Sequence, residues 1–131
     1  MLDILPSPDH VAAYKISGTL TGDDFDRLVA DLEAKLSRQE RIGVLVDLTE
    51  FKDLTLEAGA KDMRYGLSKM LQLRRFPREA VITDKEWVRA LVRIADPLVP
   101  FVEIRCFDPG TLTEAMEWVS VTEKRAAGSG P

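Results

Sequence analysis

The run Ile42-Gly43-Val44-Leu45-Val46-Asp47-Leu48 carries apolar residues at both parities of an extended chain. A strand with one wet face alternates, whereas a strand covered on both faces does not, and the second pattern belongs to sheets that have helices on each side. The run predicts the central strand of an α/β layer fold. The rest of the chain must then supply covering helices and neighbouring strands.

It does so in a regular order. "MLDIL" and "VAAYKIS" are short apolar-rich segments separated by "PSPDH", a loop composition that predicts a hairpin of the first two strands. Thr21 followed by Asp24 predicts a helix N-cap, and Phe25, Leu28, Val29, Leu32 and Leu36 then recur at helical spacing. After the central strand, "TEFKDLT" reads as a turn into a long helix from about Leu56 to Arg74, with Leu56, Ala60, Met63, Leu67, Met70 and Leu71 along one side. "REAVIT" is the next strand, a helix around Trp87 ends at Pro97 and Pro100, and "FVEIRCF" is the last strand. Thr111 and Glu114 have the spacing of a capping box for a closing helix with Leu112, Ala115, Met116, Trp118 and Val119. The order ββαβαβαβα predicts an α/β fold with a five-stranded mixed sheet and about four helices, its later strands parallel and joined by right-handed crossovers. Residues 1–125 form one domain in this reading, and 126–131, "AAGSGP", a flexible tail.

Composition excludes several classes. At 131 residues, 45% hydrophobic and 31% charged, the chain has the make-up of a soluble globular protein. Its net charge of -4 argues against duplex DNA, which requires a basic surface to displace counterions. Cys106, the one cysteine, falls in an apolar strand and reads as a buried, inert thiol in a reducing compartment. The N-terminus lacks the basic and long apolar regions of a secretory signal, and no run approaches a transmembrane segment. A cytoplasmic protein with no nucleic-acid partner is expected.

Catalytic signals are missing. His10, the one histidine, reads as a solvated loop residue, and Asp23, Asp24 and Asp26 are explained by a helix start, where carboxylates meet the positive end of the dipole. No glycine-rich phosphate loop, nucleophile elbow or metal-spaced histidine pair is present. No catalytic residue, no metal site and no cofactor are expected, and the chain is read as not an enzyme.

The motifs "GTLTGDDFDRL", "VLVDLTEFKDLTLEAGAKDM", "AVITDKEW" and "VEIRCFDPGTLTEAMEWV", in this order and spacing from Gly18 to Val119, resemble the SpoIIAA-like proteins of the STAS/Sec14-like fold group. The resemblance implies a compact STAS-like domain related to anti-sigma-factor antagonists and, more distantly, to lipid-carrying Sec14 domains. It implies no known reaction. In phosphoswitched antagonists an Asp-Ser-Ser-Gly-like phosphoacceptor follows the central strand; this chain reads "KDLTLEAG", where Thr55 alone could stand in. The simpler reading of Thr55 is the N-cap of the long helix. The chain is also too short for the helices that lid a complete Sec14 pocket.

Two surfaces stand out. Residues 61–79 hold six basic residues against two acids, and Lys61, Arg64 and Arg75 are candidates for a surface facing an anionic partner or lipid headgroups. The alternative is a solvated helix face. On the helix after Asp84, Trp87, Val88, Ala90, Leu91, Val92, Ile94 and Ala95 cover an arc of about 200°, roughly twice what a surface helix needs to pack. The surplus could meet a neighbouring helix, a second copy of the chain, an apolar ligand or a membrane surface. Trp87, Val88, Leu91 and Val92 are the candidate interface or ligand residues, with Val88 and Val92 expected outward and Leu91 and Ile94 towards the sheet. The expected function is a noncatalytic regulatory module acting through a protein partner, itself in a homodimer included; the alternative is a binder of an apolar ligand, lipid or membrane surface, and the third reading is an unrecognised enzyme.

Overall fold

The computed structural model describes residues 1–68, 75–95, 97 and 102–121. Its elements are β1 (Leu2–Ile4), β2 (Val11–Ile16), β3 (Gly18–Leu20), α1 (Gly22–Leu36), β4 (Gly43–Asp47), β5 (Phe51–Leu54), α2 (Leu56–Ser68), β6 (Arg78–Ile82), α3 (Glu86–Ala95), β7 (Glu103–Phe107) and α4 (Leu112–Val119). The main sheet has the order β1-β2-β4-β6-β7, so the apolar run at 42–48 supplies its middle strand. β1 pairs antiparallel with β2, with Leu2 opposite Ile16, and every other pairing in this sheet is parallel.

The sheet separates two apolar layers. On one face Ala12 and Tyr14 of β2 and Val44 and Val46 of β4 meet Phe25, Leu32 and Leu36 of α1. On the other, Val11, Ala13, Leu45, Ala80 and Ile82 meet Ala115 and Val119 of α4. Burying both parities of β4 is what its sequence demanded. Gly43 lets α4 come close: a Cβ there would lie 2.1 Å from the Val119 carbonyl oxygen.

Segment 49–55 is more than the expected turn. Gly18, at φ +62°, redirects the chain after β2, and β3 pairs parallel with β5 in a separate two-stranded sheet that buries Leu20 and Phe51. The Thr21–Asp24 cap forms as a reciprocal capping box. Thr111 departs from expectation: its hydroxyl donates to the Asp108 carbonyl at 2.6 Å and makes no cap bond, because the turn through Gly110, at φ +87°, folds Asp108 back over it.

Helix α2 also turns differently from the simple stripe. Ala58 is fully buried and Tyr65 stacks edge-on against Phe25 of α1, so this side of the helix packs. Leu56, on the opposite side, is 95% exposed, and Ala60 is exposed with it. The side chains of Met63, Leu67 and Ala95, together with residues 69–74, 96, 98–101 and 122–131, lie outside the described part of the structure.

Candidate functional site

Helix α3 leaves the carboxyl edge of the parallel strands, where α/β folds place their sites. Its launch is held by polar ties. Thr83, buried at the end of β6, donates its N–H to the Phe107 carbonyl and accepts the Lys85 N–H on its hydroxyl. Lys85 Nζ donates to the carbonyls of Leu48 and Thr49 at the end of β4. Arg89 reaches back to the Thr83 carbonyl at 3.1 Å and to the Asp108 carboxylate at 2.7 Å.

These ties fix the rotation of the helix. Val88 is 5% exposed, whereas Trp87, Leu91 and Ile94 are 51%, 56% and 66% exposed. The expected outward face is thereby inverted: Val88 packs inward, Val92 is partly covered, and Leu91 and Ile94 look out. The physical reason is Arg89. At about 100° per residue it lies next to Val88 and Val92 on the helix surface, and its bonds to Thr83 and Asp108 draw that flank against the sheet edge. Trp87 keeps one inward contact, with its ring 6.3 Å from that of Phe51. The outward stripe Trp87-Leu91-Ile94 is therefore a continuous apolar surface on a helix whose other side is anchored.

Thr55 sits at the start of α2, and its hydroxyl accepts the Ala58 N–H at 3.1 Å, the N-cap arrangement. The three basic candidates do not form one cluster. Lys61 donates to Asp26 at 2.8 Å, a bond that holds its ammonium above the usual lysine range. Arg75 donates to the carbonyls of Leu36, Gln39 and Glu40, closing the end of α1. Arg64 is exposed on α2. Two of the three candidates, Lys61 and Arg75, are thus engaged in holding α1 and its end.

The carboxylates, histidine and cysteine weighed for chemistry also have local surroundings of their own. Burial pushes the Asp24 carboxyl up, but hydrogen bonds from the Thr21 N–H and hydroxyl outweigh it and hold the group below its ordinary value. No cluster of three metal-ligating side chains occurs among the described residues. His10 is not a solvated turn residue: it is half-buried, and its Nε2 bonds to the Ser120 carbonyl. Cys106 is partly buried rather than fully buried as expected, and burial pushes its thiol up against the opposing charges of Arg89 and Arg93.

One residue was missed from the sequence. Glu79 of β6 is flanked by Val44 on β4 and Ile104 on β7, and among the described residues it has no hydrogen-bond or ionic partner. Burial pushes its carboxyl up to about 7. Its parity with Val81, on a strand of a sheet covered on both faces, was the available signal.

With this geometry in place, comparison with known proteins is specific. The SpoIIAA-like family model matches residues 11–120. No match is found among curated proteins. Among solved structures, the chain is similar to an uncharacterized protein of the DUF3478 family with a SpoIIAA-like fold from Shewanella loihica PV-4, at 29% identity and a TM-score of 0.70, over 91% of this chain and 92% of that one. The matched span runs from the start of β2 through the end of α4 and includes the anchored α3 helix, and the chain belongs to the SpoIIAA-like family.

Proposed function

We propose that this chain is a noncatalytic binding module whose working surface is the outward face of α3, and that a protein partner, a second copy included, covers it. The carrying observation is the contrast on one helix between buried Val88 and exposed Trp87, Leu91 and Ile94. An exposed stripe of large apolar side chains on a fixed helix costs solubility and marks an interaction surface. A stripe of this kind is read by a partner through anchors at helical spacing.

A second reading, an apolar ligand or lipid surface, is favoured by Leu56. Its 95% exposure at the start of α2 gives a second helix an apolar side turned away from the core. No helix among the described residues is long and apolar enough to cross a membrane, so contact with lipid would be at a surface or with a single bound molecule.

Native mass spectrometry of gently purified protein, with Leu91→Glu and Ile94→Glu beside it, tests both readings. A second chain or another protein lost from folded variants supports the first, and a small apolar molecule lost in the same way supports the second. Bare monomers for wild type and variants alike would remove the reason for assigning the face to binding.

A further inference from the structure

β7 ends the main sheet, and among the described residues no strand pairs with its outer edge. The Glu103 N–H donates to the Pro77 carbonyl at 2.8 Å, and the Phe107 carbonyl accepts the Thr83 N–H at 3.0 Å, so the odd-numbered residues of β7 turn their backbone groups towards β6. Backbone groups alternate sides along a strand. Those of Ile104 and Cys106 therefore point to the outer edge, where no described residue pairs with them.

Beside that edge runs a cavity of 290 Å³ lined by Arg89, Val92 and Arg93 of α3 and by Ile104, Arg105 and Cys106 of β7. Val92 and Ile104 give it an apolar wall, and the α3 flank gives it positive charge. Among the described residues Arg93 is held by an exposed ion pair to Glu86 at 3.3 Å, a contact of small worth in water that a better acceptor can displace. The charge reaches the strand: Arg89 and Arg93 both oppose the upward push that burial gives the Cys106 thiol.

We infer that this edge is a docking groove for an extended, acidic segment of another protein, which adds to the sheet as a further strand beside β7 and sets a carboxylate against Arg93. Main-chain bonds to Ile104 and Cys106 supply pairing, and the α3 arginines select charge. A second copy of this chain is the poorer occupant. Two-fold pairing of β7 with β7 puts both α3 helices on the same side of the joined sheet with their arginine flanks facing, and like charges so placed repel. The groove lies on the opposite flank of α3 from Trp87 and Leu91, so it stands independently of the apolar face.

The experiment is a titration of ¹⁵N-labelled protein with an acetylated hexapeptide of alternating valine and glutamate, and with its lysine counterpart. Expected are slowed exchange of the Ile104 and Cys106 amides with the glutamate peptide only, binding that weakens with salt, and a loss of about tenfold in Arg93→Glu, the scale of one charge-assisted bond. Arg93→Glu should also bind the lysine peptide better than wild type does. Unchanged amides at millimolar glutamate peptide would overturn the inference, as would equal binding of the two peptides. Protection of the same amides that grows with protein concentration alone would assign the edge to a second copy and overturn the acidic partner.

Discussion

His10 and Ser120 are joined by a hydrogen bond of 2.8 Å, the imidazole Nε2 donating to the carbonyl of the residue that ends α4. The bond links the loop between β1 and β2 to the last helix, and the His10 carbonyl accepts the Gly43 N–H beside it. His10 thus ties three parts of the fold together at one end of the central strand.

Replacing it should therefore cost stability and nothing else. His10→Ala removes one partly buried bond and should lower the unfolding free energy by about 1 kcal/mol. Urea denaturation checks this. His10→Gln, which keeps a side-chain donor, should recover part of the loss. Unchanged stability with loss of partner or ligand binding would place His10 in a functional site instead.

Thr55 separates a cap from a phosphoswitch. Its hydroxyl satisfies one of the N–H groups that every helix start leaves without an intrahelical partner. Thr55→Ala should cost about 1 kcal/mol, while Thr55→Asp should retain most of the stability because aspartate caps equally well. Thermal melting of both variants, with partner binding measured alongside, distinguishes the roles. Partner loss with aspartate but not alanine, at unchanged melting temperature, would instead favour phosphorylation at this position.

Glu79 predicts a pH dependence of definite sign. In the folded chain burial holds its carboxyl up to about 7, whereas an unfolded glutamate titrates at roughly 4.3. Below the unfolded value both states carry the proton and Glu79 contributes no slope. Between the two values the unfolded chain has lost the proton and the folded chain has kept it, so stability falls as pH rises, and it levels off above the folded value. Glu79→Gln should remove this slope and raise stability near pH 8 by about 1–2 kcal/mol, a figure reduced because the side chain keeps some contact with water. Chemical denaturation from pH 4 to 8 tests it. Parallel curves for wild type and variant would mean that the carboxylate is solvated in the folded state.

Some of this architecture was legible residue by residue. Phe25, Leu32 and Leu36 occur at helical spacing and are buried together, and the unalternating run at 42–48 lies in the middle of the sheet. Local spacing carried those elements. β3 and β5 escaped because three- and four-residue strands have almost no pattern of their own, and the pairing of Gly18 with Phe51 joins segments far apart in the sequence. Glu79 escaped because the sequence shows which way a strand residue points but not whether a partner waits there.

The rotation of α3 was beyond reach for a related reason, and it leads to the sharpest prediction. An apolar arc of about 200° fits a sheet in more than one rotation with similar burial, so the arc alone does not choose the inward residues. Arg89 chooses them by bonding Thr83 and Asp108 on the sheet side. Val88→Glu would then force a carboxylate into a site where valine is 5% exposed, costing several kcal/mol and collapsing the melting transition. Leu91→Glu, at a position already 56% exposed, should leave the melting temperature within a few degrees of wild type. Releasing the anchor tests the cause: Arg89→Met keeps much of the side chain's bulk, removes both bonds, and should make the fold less sensitive to which of the two positions carries glutamate. Melting curves for the three single variants and the two Arg89 double variants decide it. Equal tolerance at Val88 and Leu91 with Arg89 intact would show that the helix is not held in this rotation, and the exposed stripe would lose its standing as a preformed surface.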